Sequence, residues 1–192
     1  MSGDWESLRA ACEGCQRCEL GKTRHKLVFG VGLQTSPVLF VGEGPGQQED
    51  LQGEPFVGAA GQLLDEMLSI VDLGRGNCYI ANIVKCRPPG NRDPKPEEQE
   101  ACVGWLYEQM RLLRPKLVIC LGRIAAGVLI EPDYRITRRH GQWVCRDGVW
   151  YTSIYHPSAL LRDLSRRPET FLDLLAIREK VREVCPEVYD QI

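Results

Sequence analysis

Pro37-Val38-Leu39-Phe40-Val41-Gly42-Glu43-Gly44-Pro45-Gly46 is the stretch on which the fold turns. An apolar run without a polar break stops abruptly in three glycines and a proline, the mark of a strand that ends in a tight turn with exposed amides. Two carboxylates, Glu43 and Glu49, bracket that turn. Phe56 follows in Gly/Pro-rich sequence rather than on a periodic apolar face, so an exposed loop with a free ring face is expected there. A single loop of this kind is as often a plain connection as a site, and the rest of the chain has to decide.

Downstream, Gly61 to Leu73 carries apolar residues at 63, 64, 67, 68 and 71, a helical spacing. Further apolar runs at 78–84, 116–121 and 150–155 read as strands. Helices are expected over 4–20, from Pro96 to about Leu113 with acidic residues in its first turn, and over 169–184. Residues 131–148 look irregular, Arg-rich and hairpin-like. Four apolar strands alternating with helices predict an α/β fold with a parallel sheet covered on both faces. The polar, glycine-rich segments gather where strands end: GEGPG, Asn82 with KCRPP, LGR and HPSALLR. In open α/β sheets the ligand site lies at the carboxyl ends of the strands, so these loops should converge.

The 192 residues suit one domain spanning 1–192. A net charge of −2 rules out global basicity, so any nucleic-acid site must be a local patch. No apolar run is long enough for a membrane span, and Met1 to Ala11 does not read as a signal peptide. No membrane partner and a cytoplasmic location are therefore expected.

Nine cysteines, an odd number without an export signal, argue against a disulfide framework and towards metal ligation. Cys15-x2-Cys18 is a two-ligand spacing that needs two more thiolates. Cys86 in the Pro-rich loop and Cys102 beyond it are the best candidates, because Cys78 and Cys120 lie in apolar strands and suit a core. Four thiolates hold zinc or an iron–sulfur cluster, and spacing leaves both open.

Several blocks together resemble the family 4 uracil-DNA glycosylases, the iron–sulfur branch of that superfamily. They are Cys15-x2-Cys18-x-Leu20, GEGPG with Glu49-Asp50, PFVGAAGQLLD at 55–65, NIVKCRPPGNRDP at 82–94, Cys102, LGR at 121–123 and HPSALL at 156–161. The resemblance implies a three-layer α/β/α fold around a central four-stranded parallel sheet. It implies a structural [4Fe–4S] cluster on Cys15, Cys18, Cys86 and Cys102. The implied activity is removal of uracil from double- or single-stranded DNA, with a monomer expected; no lysine is placed as an amine nucleophile beside these loops, so the abasic site should be left uncut.

Carried over motif by motif, the resemblance places Gly42, Glu43, Gly44, Phe56, Asn82 and His156 around the base. Phe56 stacks on it, Asn82 reads its edge, and His156 donates to uracil O2 as charge develops. One departure stands out: Gly44 occupies a position where family 4 members usually carry alanine and another branch an aspartate. Glu43 is then the first choice of catalytic carboxylate and Glu49 the second, with Glu49 also a steric gate against the thymine methyl. Arg87, Arg92, Arg138 and Arg162 are candidate phosphate contacts, as are Lys95, Arg123 and Arg139. Leu160 and Leu161 are candidates to fill the gap left by an extruded nucleotide.

An iron–sulfur electron carrier would need only the four cysteines and leaves Asn82 and His156 unused. A DNA-binding module without chemistry would find its best argument in Gly44. His25 and His140 have no comparable motif around them. Arg138-Arg139-His140 only superficially resembles the basic loop through which a related branch bonds covalently to abasic DNA.

Overall fold

The computed structural model describes residues 4–191. In chain order the elements are α1 (Trp5–Glu13), α2 (Leu20–Thr23), β1 (Val31–Gly32), β2 (Val38–Gly42), α3 (Gln47–Gln52), α4 (Ala59–Ser69), β3 (Tyr79–Asn82) and α5 (Pro96–Leu113). There follow β4 (Leu117–Leu121), α6 (Arg123–Leu129), α7 (Ile136–Arg139), β5 (Val144–Arg146), β6 (Val149–Ile154), α8 (Pro157–Arg162) and α9 (Arg167–Val184).

The sheet is mixed and has six strands in the order β1-β3-β2-β4-β6-β5. Its four inner strands, β3, β2, β4 and β6, are mutually parallel. The expected four-stranded sheet is thus extended at both edges by a short antiparallel strand. β1 has only two residues, and β5 forms with β6 the hairpin anticipated in the irregular segment, so neither carries an apolar run long enough to stand out.

Alternation along the inner strands divides the core into two layers. Leu39 and Val41 of β2, with Val118 and Cys120 of β4, face α1, α2, α5 and α6. Val38 and Phe40, with Leu117, Ile119 and Leu121, face α4, α8 and α9. The result is the expected helix–sheet–helix arrangement.

Where a single helix was expected over 4–20, the chain forms two. Asp4 caps α1 by accepting the Ser7 N–H at 2.8 Å. The helix then stops at Gly14, which frees the segment carrying Cys15 and Cys18 from regular structure. α5 begins with Pro96 at its first turn, and the Glu98 side chain accepts the Lys95 N–H at 2.8 Å. No helix among the described residues is long and apolar enough to cross a membrane.

Because β2 lies between β3 and β4, the crossover through α4 runs over one face and that through α5 over the other. The loops leaving β2 and β4 therefore part, and a crevice opens at their carboxyl ends.

Candidate active site

A cleft of about 410 Å³ occupies that crevice. Its lining includes Glu43, Gly44 and Gly46 after β2, Phe56 and Gly58 before α4, Asn82 at the end of β3, and His156, Ser158 and Arg162 after β6. Segments more than 100 residues apart in sequence thus meet at one place, as the strand-end argument requires.

Gly42 makes the floor possible. A Cβ there would stand 2.5 Å from Asn82 Oδ1 and 2.5 Å from Phe56 Cζ, so only glycine lets both side chains close over the strand end. Asn82 is almost wholly buried, and its Oδ1 has no hydrogen-bond partner. Buried acceptors are normally paired, so an orphan on a residue that lines a cleft calls for a donor from outside the chain.

Phe56 departs from the exposed loop expected of its Gly/Pro flanks, since only 6% of it is accessible. Its ring packs at 5.7 Å from the His156 ring, and its backbone holds φ = 56°, a region that residues with a β-carbon rarely enter. Gly61 allows this, because a Cβ on that helical residue would stand 1.9 Å from the Phe56 carbonyl oxygen.

His156 precedes α8 and turns its Nδ1 back to that helix, where the Ser158 N–H donates to it at 3.1 Å. Enclosure of the imidazole, with the Arg162 charge nearby, pushes its pKa down to about 4. The ring is neutral at physiological pH, with its proton on the nitrogen that faces away from Ser158.

Glu43 is perturbed in the opposite sense. Burial, and after it the adjacent Asp93 carboxylate, push its pKa up to about 7 against the pull of Arg123 and Arg162. Glu49 has a different task. Its Oε1 accepts the N–H groups of Val57 at 2.9 Å and Gly58 at 2.8 Å, and its Oε2 accepts that of Gly46 at 3.1 Å. The carboxylate ties the loop after β2 to the loop before α4.

The sequence model of the Uracil DNA glycosylase superfamily matches residues 29–177. The chain is 42% identical to a type-4 uracil-DNA glycosylase of Archaeoglobus fulgidus over 93% of its own length and 94% of the relative's. It is also 42% identical to one from Pyrobaculum aerophilum, over 89% and 91%. A Thermotoga maritima type-4 enzyme is 41% identical over 79% and 80%. The chain belongs to the type-4 uracil-DNA glycosylases.

In this type-4 chain the four expected cysteines converge. Cys15, Cys18, Cys86 and Cys102 line a second cavity with Arg17, Arg24, Lys85 and Trp105. Three N–H groups point at their sulfurs: Trp105 Nε1 to Cys15 at 3.3 Å, Arg24 Nη1 to Cys86 at 3.2 Å, and the Lys85 backbone to Cys102 at 3.2 Å. Such donors suit thiolates. No three His, Cys, Asp or Glu side chains among the described residues are set to hold a single metal ion.

The DNA-facing expectations fare unevenly. Leu160 is 1% exposed and packs into the core under α8, so it cannot enter DNA, whereas Leu161 beside it is 44% exposed. Helical geometry turned one inward and its neighbour outward. Arg162 is exposed at the cleft. Arg92 also lines the cleft, but its guanidinium is held by both oxygens of Glu98 at 2.7 and 2.8 Å. Arg87 bonds Asn91 Oδ1 at 2.7 Å, and Arg138 is exposed on α7 outside the cleft lining. Arg123 and Arg139 are paired with Asp93 and Glu131.

Sequence reasoning missed three supports. Ser158 orients His156, and Asp93 acts on Glu43. Asp50, 2% exposed, accepts the backbone N–H of His25 at 2.9 Å and faces its Nδ1 at 2.6 Å. His140 likewise has a carboxylate partner, Asp173, at 2.7 Å from its Nδ1. Ser158, Asp93 and Asp50 lie within the quoted blocks, but nothing in those blocks announced their partners.

Proposed function

We propose that the protein hydrolyses the N-glycosidic bond of uracil in DNA, taking the base out of the helix into the strand-end cleft. The observation that carries this reading is the orphaned, buried Oδ1 of Asn82, a residue that lines the cleft together with Phe56 and His156. Uracil offers that acceptor its N3–H, while the Asn82 amide N–H donates to O4. Cytosine presents an acceptor and a donor in the reverse order and leaves both Asn82 groups mismatched. A site that pairs buried polar groups rejects such an analogue strongly. Phe56 supplies the face on which the base stacks, and Glu49, which also lines the cleft, is the candidate steric gate against the thymine methyl.

The neutral His156 presents its free ring N–H to uracil O2. As the bond from N1 to the sugar breaks, the electron pair passes to the base, and a preorganised donor in an enclosed site stabilises the growing charge. The sugar becomes cationic at the same moment. Glu43, in its ionised form, stabilises that cation and orients the water whose oxygen bonds to C1′. Water supplies the hydroxyl to the sugar and a proton to the base. No lysine among the described residues lines the cleft, so no amine is placed to attack the sugar and cut the strand. One domain acting as a monomer, on paired or single-stranded DNA, suffices for this chemistry.

Cys15, Cys18, Cys86 and Cys102 are assigned to a [4Fe–4S] cluster. Four cysteines around one cavity, with three N–H donors aimed at their sulfurs, support four-thiolate ligation, which the resemblance to the iron–sulfur branch assigns to a cluster rather than to zinc. Once bound, the cluster supplies a covalent tie between the N-terminal segment, the loop after β3 and α5. Iron and sulfide analysis of protein purified without air tests the assignment, with both lost in Cys86→Ala and zinc absent throughout.

The decisive experiment is release of free uracil from a single-uracil oligonucleotide. Release that disappears in Asn82→Ala and collapses in His156→Ala supports the reading. Cluster-loaded protein that releases no uracil overturns it.

A further inference from the structure

Arg75 lies in the turn between α4 and β3, in a segment that no sequence motif singled out. Its side chain nevertheless reaches the backbone on which the base-stacking ring is mounted. Nη1 donates to the Pro55 carbonyl at 2.9 Å and Nη2 to the Phe56 carbonyl at 2.5 Å. Two carboxylates fix the guanidinium itself: Glu54 takes Nη1 at 3.0 Å, and Asp65 takes Nε at 3.1 Å. With its charge satisfied and its side chain 23% exposed, Arg75 is poorly placed to serve DNA phosphates.

Phe56 needs such support. Its φ of 56° is disfavoured for a residue with a β-carbon, so the conformation persists only where the surroundings enforce it. Glu49 grips the next two N–H groups, and Gly61 lets α4 press against the Phe56 carbonyl. Arg75 adds a charged clamp on the carbonyl side. The planar fork of arginine spans two successive carbonyls, which a single ammonium does not reproduce.

We propose that Arg75 is a positioning residue for uracil excision, acting through Phe56 by locking the backbone that aims the ring into the cleft. The inference rests on the reading of Phe56 as the base-stacking residue.

A double-mutant cycle on the cluster-loaded enzyme tests it, using Arg75→Ala, Phe56→Leu and the two combined. Single-turnover uracil release and thermal melting are measured for each. A displaced ring should slow release by roughly 10- to 100-fold in Arg75→Ala, since misplacement by about 1 Å can cost 10²-fold. The combined variant should then be no slower than Phe56→Leu alone, because a residue acting through another adds nothing once its target is gone. Losses that multiply would overturn the proposal and leave the stacking role standing, as would an unchanged rate in Arg75→Ala. A full rate in Phe56→Leu would bring down the stacking role and the proposal with it. Should Arg75→Ala not fold, Arg75→Lys takes its place in the cycle, because it keeps the charge and loses the paired donation. Losses that multiply with Phe56→Leu would again overturn the proposal, and a double variant no slower than Phe56→Leu would support it.

Discussion

The backbone N–H of Ser158 donates to Nδ1 of His156 at 3.1 Å, and that one bond decides which imidazole nitrogen carries the proton. A backbone N–H can only donate, so Nδ1 accepts and the proton resides on Nε2. The Ser158 hydroxyl stands 2.8 Å from the same nitrogen and reinforces the choice. His156→Ala should therefore slow single-turnover release by roughly 100- to 1,000-fold, the usual cost of a lost oxyanion donor.

The same histidine sets a pH dependence of stability. Its pKa falls from 6.5 unfolded to about 4 folded, so between those values the unfolded chain binds more protons. Stability falls as pH drops through that window. Melting curves at pH 7 and pH 5 should show a larger drop for the wild-type protein than for His156→Asn; equal drops would contradict an enclosed neutral ring.

Glu43 works in the opposite direction. With a folded pKa raised from 4.5 to about 7, the native protein holds a proton that the unfolded chain has released. Stability from this group is lost as pH rises through about 7, while the ionised form proposed to act beside the cationic sugar appears. Release rates should climb with pH to a plateau above about 7. Glu43→Gln should flatten that climb, lower the plateau and raise the melting temperature at pH 8. A Glu43→Gln profile that still climbs through 7 would place the titration elsewhere.

Gly42→Ala offers a geometric test. The added methyl would press at 2.5 Å on both Asn82 Oδ1 and Phe56 Cζ. Overpacking of this kind costs about 1–3 kcal/mol. If Asn82 and Phe56 read and stack the base as proposed, their displacement should cost roughly 100-fold in rate. Substrate binding measured by fluorescence anisotropy should change far less than the rate.

Leu160 and Leu161 should separate cleanly. Leu160→Ala empties a core position and is expected to destabilise by about 2–5 kcal/mol in urea unfolding. Leu161→Ala should leave unfolding within about 0.5 kcal/mol of wild type. If Leu161 fills the gap left by the base, its loss will slow release from paired DNA more than from single strands.

Much of the site was legible because its residues sit at strand ends, where apolar runs break into glycine and proline. Gly42, Asn82 and His156 each follow such a run. Cys86 and Cys102 stood out by contrast with Cys78 and Cys120, whose strands are apolar throughout. Burial within one helical turn is finer than these signals, so Leu160 could not be told from Leu161. The φ of Phe56 is imposed by Glu49, Arg75 and Gly61, and no local pattern announces it. The edge strands β1 and β5 are defined by pairing with their neighbours rather than by apolar runs of their own. Arg92 and Arg123 are candidate phosphate contacts by sequence, and the carboxylate partners that hold them meet them only in the folded chain.

The strand order has a practical side. β1, β3 and β2 all precede residue 83, β4, β6 and β5 all follow residue 116, and each trio is contiguous in the sheet. The cleft lies on the seam, with Glu43, Phe56 and Asn82 from the first trio and His156 and Arg162 from the second. All four cysteines of the second cavity belong to the N-terminal piece, which ends with α5. A break in the chain between α5 and β4 would therefore leave Asn82, Phe56 and the four cysteines proposed as metal ligands on one fragment and His156, the proposed leaving-group donor, on the other. Mixed together, such fragments would regain uracil release only by docking along β2 and β4, turning the enzyme into its own reporter of reassembly.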